Sequence, residues 1–182
     1  HAGIGYRYSN AKEGYRYRTE PEINKSPVFV DTGFDTPPGV LPANNLQTWN
    51  AELSWRRGPL WLASEYTRTS VDNPDLANPG FDGYGIAGSW VLTGEMRPYN
   101  KKSGTFGNVP IARTVNQGGK GAWEVSARWS NIDLNDGLVA GGEMDIASLG
   151  VNWWLTPVLS VNANYRSIWN TRFGNEDTSS GF

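Results

Sequence analysis

Residues 121–136 read GAWEVSARWSNIDLND, and this stretch predicts the fold of the whole chain. From Trp123 to Ser130 apolar side chains alternate with polar ones, so a strand here has one apolar and one polar face. The apolar face carries Trp123 and Trp129, six residues apart. At about 3.4 Å per residue and a strand tilt near 40°, the two rings lie roughly 15 Å apart along a barrel axis. Aromatic side chains near both borders of an apolar band are typical of a membrane wall.

The composition also favours a barrel. Of the 182 residues, 38% are apolar, and no run approaches the roughly 18 apolar residues of a membrane-spanning helix. Nine Trp, eight Tyr and 22 Gly fit aromatic girdles joined by tight turns. The chain has no Cys, which excludes disulfides and thiol chemistry. We predict an all-β fold, an antiparallel up-and-down transmembrane β-barrel segment that forms one continuous domain over residues 1–182.

The same alternation predicts eight strands. Their predicted spans are residues 3–9, 15–19, 47–57, 60–69, 83–93, 123–132, 147–154 and 159–169. Residues 20–45 contain five prolines and are predicted as a large surface loop; these are Pro21, Pro27, Pro37, Pro38 and Pro42. Residues 133–145 are predicted as a second surface loop, and the last thirteen residues as irregular.

The connections predict an orientation. Tight turns at Gly58 and Pro157 share one side, as the short periplasmic turns of outer-membrane barrels do. The first predicted strand then runs inward and the last runs outward, so both chain ends emerge outside the cell. A complete barrel of this class keeps its termini in the periplasm, and we therefore expect a contiguous segment of a larger barrel. The start inside a strand, without Met or a signal segment, predicts a processed or partial chain.

The net charge of −2 argues at first against an anion pathway, so the charges must be located. Most acids fall in the predicted outer loops and tail; they include Glu20, Glu22, Asp31, Asp35, Asp72, Asp75, Asp82, Asp133 and Asp136. The predicted inner positions of the strands carry more arginines (Arg7, Arg16, Arg18, Arg56, Arg128 and Arg166) than acids (Glu52, Glu65 and Glu124). The predicted wall is therefore net basic. The alternative interpretation is that inward Arg and Glu pair across strands.

Residues 96–121 form a second basic feature. This connection holds five cations and no acid: Arg97, Lys101, Lys102, Arg113 and Lys120. It is too long for an ordinary periplasmic turn, so it either extends into solvent or folds back into the pore. The preceding strand offers Gly85, Ala87 and Ser89 on its inner face, which leaves room for the second arrangement. Lys and Arg in a narrow passage would raise the local concentration of anions such as phosphate.

Three segments together resemble a known family. They are TGEMRPYNKKSGTFGNVP at residues 93–110, GAWEVSARWSNIDLND at 121–136 and LGVNWWLTP at 149–157, and they resemble the phosphate-selective porins O and P. Residues 1–92 match that family only in their rhythm of strands and loops. The resemblance implies a sixteen-stranded trimeric barrel in the bacterial outer membrane, surrounded by lipid and lipopolysaccharide. It also implies passive diffusion of phosphate, pyrophosphate or other small anions, past a constriction that an inward-folded loop and its lysines help to form.

Other functions have less support in the residues. The single histidine is His1, metal-ligand clusters are absent, and no motif combines a nucleophile with a base, so we expect no enzyme and no cofactor. We expect no nucleic-acid partner. Two alternatives stay open: a general diffusion porin without phosphate selectivity, and a soluble secreted β-sandwich that binds a ligand.

Overall fold

The computed structural model describes residues 1–23, 25–33 and 39–181, so Asp35, Pro37 and Pro38 of the predicted loop lie outside the described residues. The described chain is all-β, and two short 3-10 turns at Pro74–Leu76 and Val115–Gln117 are its helical parts. The strands are β1 (Ala2–Asn10), β2 (Arg18–Thr19), β3 (Val30–Asp31), β4 (Asn45–Arg57), β5 (Leu60–Asp72), β6 (Gly80–Val91), β7 (Tyr99–Asn100), β8 (Thr105–Phe106), β9 (Ala122–Asp136), β10 (Val139–Thr156), β11 (Leu159–Arg172) and β12 (Asn175–Gly181).

Eight strands form one antiparallel sheet in the order β1-β4-β5-β6-β9-β10-β11-β12. The predicted fold class is therefore confirmed. The sheet is open, because β1 and β12 form its two edges. Two small hairpins, β2 with β3 and β7 with β8, lie in the two long connections.

The predicted strand at residues 15–19 is wrong. Tyr15 makes an isolated bridge to Leu41, and β2 pairs with β3 instead of with the large sheet. The tyrosines of this segment alternate with arginines because Tyr15 and Tyr17 pack on Phe81 from above the sheet, with ring centroids 6.2 and 5.9 Å from the Phe81 ring. The alternation thus belongs to a half-buried loop, and Arg16 and Arg18 do not lie on the wall.

Two predicted irregular segments are strands. β9 continues to Asp136, and a two-residue turn at 137–138 leads directly into β10, so no loop spans residues 133–145. The pattern misled because Ile132 and Leu134 follow Ser126 and Arg128 on the same face, which changes from polar to apolar where a loop covers it. The polar residues of β12 pair with β11, although neither of its faces shows apolar alternation.

The predicted direction of the first strand is also wrong. β1 leads into the connection 11–44, β4 leads into the turn at 58–59, and β12 follows a turn at 173–174. The start of β1 and the end of β12 therefore lie at the same end of the strands as the turn after Arg57. Short turns occur at both ends of the strands, and each of these two rims of the sheet carries one long connection. The inference that both ends emerge opposite the tight turns does not stand.

The two faces of the sheet differ as the alternation predicts. Side chains directly opposite each other on paired strands share a face of the sheet. One of the two faces presents exposed apolar residues on every strand of the large sheet except β12. Aromatic rings form two bands on it: Tyr6, Trp49, Tyr66, Tyr84, Trp129 and Trp169 near one edge, and Trp55, Trp90, Trp123 and Trp153 near the other. Small and aliphatic residues lie between the bands, including Ala51, Leu53, Leu62, Ile86, Ala127, Leu149, Val151 and Val161.

No helix among the described residues is long and apolar enough to span a membrane.

Candidate functional site

The opposite, polar face of the sheet is covered from both edges by the two long connections. Residues 11–44, the first covering loop, bury Tyr15, Val30 and Leu41 against apolar residues of the polar face near one edge; those sheet residues include Val71, Phe81, Leu134, Met144, Ile146 and Ile168. Residues 92–121, the second covering loop, bury Val109 against Val91 and Ala122 at the other edge. The described part of the predicted loop 20–45 is a loop, but it does not lie free on the surface, because apolar burial holds it on the sheet.

An ion pair fixes the fold of the first covering loop. Arg16 Nε and Nη2 donate to the two carboxylate oxygens of Asp31 at 2.8 and 2.6 Å, and Asp31 is 4% exposed. The Gly33 N–H donates to Asp31 Oδ1 at 2.9 Å. These donors, Arg16 first, hold the pKa of the Asp31 carboxyl below its ordinary value against the opposing effect of burial. Burial raises the pKa of the neighbouring Tyr15 to about 12. Arg16 thus stabilises the first covering loop and is not part of the wall, and Asp31 is buried inside this loop and is not exposed on an outer surface.

A buried ion pair fixes the second covering loop. Arg97 Nη2 donates to Glu124 Oε1 and Oε2 at 2.6 and 2.8 Å, and Arg97 Nε donates to Oε1 at 3.2 Å. Glu124 on β9 is fully buried, and Asn152 Nδ2 on β10 donates to its Oε2 at 2.9 Å. Arg97 Nη1 also donates to the Gly107 carbonyl at 3.1 Å, which ties two parts of the loop together. Such charge-assisted, forked contacts are the strongest hydrogen bonds available to the chain.

Aromatic and polar contacts extend this attachment. Phe106 meets Trp61 of β5 edge-on with ring centroids 6.0 Å apart, and Arg56 Nη1 donates to the carbonyl of Arg97. His1 lies between sheet and loop, with Nε2 2.8 Å from Glu52 Oε1 and Nδ1 2.9 Å from the Tyr99 hydroxyl. The second covering loop therefore rests on the polar face.

A cleft remains on the polar face between the two covering loops, and Arg128 of β9 lies at its centre. Arg128 Nη2 is 3.4 Å from Glu65 Oε1 and 3.3 Å from Glu22 Oε1. Glu65 and Arg128 meet across β6 because Gly85 separates them: a Cβ there would lie 3.3 Å from Glu65 Oε1 and 3.7 Å from Arg128 Nη2. The small inner residues of this strand thus make room for an ion pair.

Arg166 lies in the same transverse row as Arg128. Ser148 is the cross-strand partner of both, so the two arginines are two strands apart, or about 10 Å between Cα atoms. Two buried atoms in this row, Ser148 Oγ and Arg166 Nε, make no hydrogen bond with any described residue. A buried polar atom without a partner costs free energy.

The other predicted cations are spread over the surface. Lys101, Lys102, Arg113 and Lys120 of the second covering loop are exposed and form no ion pair within the described ranges. Arg113 Nε donates to the Gln117 carbonyl at 2.9 Å. Arg7 on edge strand β1 donates to Ser9 Oγ at 3.0 Å, and the exposed Arg18 borders a groove beside Thr67 and Phe81. Of the ten predicted residues, the structure brings Arg128 and Arg166 together and uses Arg97 and Arg16 as internal ties.

Each inward glutamate of the sheet has a His or Arg partner, but of these three contacts only that of Glu65 with Arg128 joins two residues of the wall, as the pairing alternative described. Glu52 contacts His1, Glu65 contacts Arg128, and Glu124 contacts Arg97. With Arg16 and Arg18 removed from the wall, the basic excess there is smaller than the sequence predicts.

Sequence reasoning missed Glu22, which it assigned to an outer loop. Its residue type gives no signal of the contact with Arg128, because the two are far apart in sequence and meet only when the loop folds back. Among the described residues no group of His, Asp or Glu is arranged to hold a metal ion.

Comparisons with known proteins agree with this architecture. The family model for "Phosphate-selective porin O and P" matches residues 6–180. Porin O of Pseudomonas aeruginosa is 26% identical over 191 residues, which cover 91% of this chain and 42% of that protein. An "uncharacterized protein" of Caulobacter vibrioides is 27% identical over 153 residues, covering 84% of this chain and 29% of that protein. The chain thus spans less than half the length of either relative.

Proposed function

The chain belongs to the phosphate-selective porin O and P family, and on that premise we propose that it forms part of the wall of a bacterial outer-membrane porin, through which phosphate, pyrophosphate or similar anions diffuse passively. No chemical step is assigned to the protein, since a porin needs a lined passage and no catalytic group.

One observation carries the proposal: the apolar face of the sheet is exposed and the polar face is covered. Ile4, Leu53, Leu149 and Val161 are all more than half exposed, and aromatic residues border the aliphatic band on both sides. A soluble β-sandwich would bury such a face against a second sheet. In a bilayer this face contacts lipid and the aromatic bands lie at the two interfaces. The soluble binding module is therefore the weaker alternative.

The surroundings follow from the same face. Beyond one aromatic band, Asp82, Asp133 and Glu143 are successive cross-strand neighbours, and Arg68 pairs with Asp82 at 2.7 Å. Charged side chains at this border suit contact with the headgroups of lipid and lipopolysaccharide, which the family resemblance also supports. The family resemblance supports a sixteen-stranded homotrimer, of which the open sheet is about half of one barrel.

The anion pathway is proposed along the cleft of the polar face. Arg128 and Arg166 supply guanidinium groups on the wall. The tip of the second covering loop supplies Lys101 and Lys102 as exposed charges. A site that attracts anions without holding them tightly suits permeation.

A general diffusion porin without phosphate selectivity is the second candidate. The specific observation in its favour is that Arg128 contacts two carboxylates, Glu65 and Glu22, which leaves the cleft mixed in charge. The two candidates differ in whether millimolar phosphate reduces the chloride current.

The test is charge reversal at the loop tip. In the full-length protein in planar bilayers, Lys101→Glu with Lys102→Glu should shift the reversal potential in a KCl gradient towards cation selectivity, because confined charges are poorly screened. Lys12→Glu, compared with Lys101→Glu alone, is the control of equal charge change, since Lys12 is exposed beside β1 at the opposite ends of the strands. An unchanged reversal potential in the double variant, with a folded channel, would place the loop outside the conduction path.

A further inference from the structure

Glu22 is the acid that the first covering loop brings into the cleft. Its Oε1 lies 3.3 Å from Arg128 Nη2 and accepts a hydrogen bond from Ser130 Oγ at 3.3 Å. Glu65 Oε1 reaches the same Arg128 nitrogen from the other side at 3.4 Å. The guanidinium at the centre of the cleft is therefore shared by two carboxylates, one on the wall and one on a loop.

The backbone holds Glu22 in this position. Glu22 has a φ of +46°, a left-handed conformation that is uncommon for a residue with a Cβ. Its N–H donates to the Glu20 carbonyl at 2.9 Å, Pro21 before it is fully buried, and Ile23 after it packs on the apolar cluster under the loop. A strained residue that its neighbours hold in place is typical of functional sites.

The pair is open to solutes. The Glu22 side chain is 33% exposed and the Arg128 side chain 44% exposed, so an ion in the cleft can reach both. The guanidinium of Arg128 binds phosphate or carboxylate oxygens well. Glu22 is a carboxylate of the chain itself that occupies the same guanidinium. A permeating oxyanion must share Arg128 with Glu22 or displace it.

We propose that Glu22 is a specificity-determining residue: its carboxylate competes with permeating anions for Arg128 and so lowers the anion preference of the pathway. This inference rests on the proposed porin function. A loosely held internal competitor keeps a guanidinium from trapping anions, which is what conduction through a charged site requires.

The experiment compares Glu22→Gln with Glu20→Gln in the full-length protein, in planar bilayers under a KCl gradient. Glu20 lies two residues away on the same loop and makes no side-chain contact with Arg128 among the described residues, so its substitution changes the charge equally. Two unit charges about 4 Å apart in a water-like medium interact by about 1 kcal/mol, or roughly fivefold in an equilibrium. Glu22→Gln should raise the chloride-to-potassium permeability ratio by about that factor, and Glu20→Gln by less than twofold.

Arg128→Gln provides the second arm. If Glu22 acts through Arg128, adding Glu22→Gln to Arg128→Gln should leave the permeability ratio unchanged. Equal effects of Glu22→Gln and Glu20→Gln, no effect of Glu22→Gln, or a full effect that persists without Arg128 would each overturn the inference. Heat-dependent mobility in detergent gels shows that each variant is folded.

The failure of the proposed function would look different. A wild-type channel whose chloride current is insensitive to inorganic phosphate would refute phosphate selectivity. The comparison of Glu22→Gln with Glu20→Gln in KCl would still decide the role of Glu22.

Discussion

Replacing Arg97 with Ala should release the second covering loop from the sheet. Glu124 is fully buried, and the substitution removes both forked contacts of 2.6 and 2.8 Å, so that its remaining side-chain donors, such as Asn152, are uncharged. Breaking a buried pair from one side costs about 3–5 kcal/mol, because the other charge stays buried without compensation. At 1.4 kcal/mol per factor of ten, the detached population of the loop should rise by roughly two to three and a half orders of magnitude.

A buried cysteine can report this release. The chain contains no Cys, and Val109 in the loop is 4% exposed, so Val109→Cys introduces one protected thiol into this chain. Its rate of reaction with a maleimide measures how often the loop opens, and Asn108→Cys at the exposed neighbouring position gives the unprotected rate. Arg97→Ala should raise the Val109→Cys labelling rate towards the Asn108→Cys rate.

Two further variants separate the ion pair from general damage. Arg113→Ala removes an exposed arginine of the same loop that donates to the nearby Gln117 carbonyl, and it should leave labelling unchanged. Arg97→Met combined with Glu124→Leu removes both charges together and should restore much of the protection, since apolar pairs of similar volume replace buried ion pairs well. If Arg97→Ala labels no faster than Arg113→Ala, the ion pair does not hold the loop and the reasoning is wrong.

Three other predictions concern the lipid face, acid and a turn. Ala127→Arg on the apolar face should impair folding into bilayers by roughly 2–4 kcal/mol near the midplane, whereas Ser126→Arg should mainly change conductance; equal folding yields would refute the assignment of faces. Because the pKa of Asp31 is depressed by its donors, its stabilisation of the first covering loop is present above about pH 4 and is lost as the pH falls through the lower folded value. Current noise should therefore increase as the pH falls below about 4, and Asp31→Asn should abolish that acid step. Gly121→Ala, at a φ of +68° with a Cβ only 2.3 Å from the Trp154 carbonyl oxygen, should cost roughly 1–3 kcal/mol and speed Val109→Cys labelling; wild-type labelling would contradict it.

The sequence predicted the sheet well where one face stays apolar and the other polar. The strands around Trp49, Ile86, Trp129 and Val161 were found because lipid-facing and inward positions differ in chemistry along their whole predicted length. The prediction failed where a loop covers the inner face. Beyond Ser130 the inner face of β9 becomes apolar. The alternation of apolar and polar residues stops there, and this pattern predicts the end of the strand although the strand continues.

The charges show a similar limit. Counting basic residues identified the second covering loop, but the count cannot show that Arg97 is neutralised by Glu124, 27 residues away on a strand that the loop folds onto. Glu22 was assigned to the outside for the same reason. Which acid meets which base depends on how the loops fold back, and local sequence carries no record of that contact.

β10 is longer than a membrane crossing requires. Its 18 residues exceed the roughly 9–11 of a tilted transmembrane strand, and one end carries Leu149 and Val151 on the apolar face while the other carries Met144 and Ile146 beneath the first covering loop. One rigid strand therefore belongs to both the proposed lipid contact and the seat of the loop. Because β10 is paired with β9 and β11 along its length, its two halves cannot move independently. A bilayer of different hydrophobic thickness therefore meets the sheet as one body, and the fold, not the lipid, sets the separation of Glu22 and Arg128.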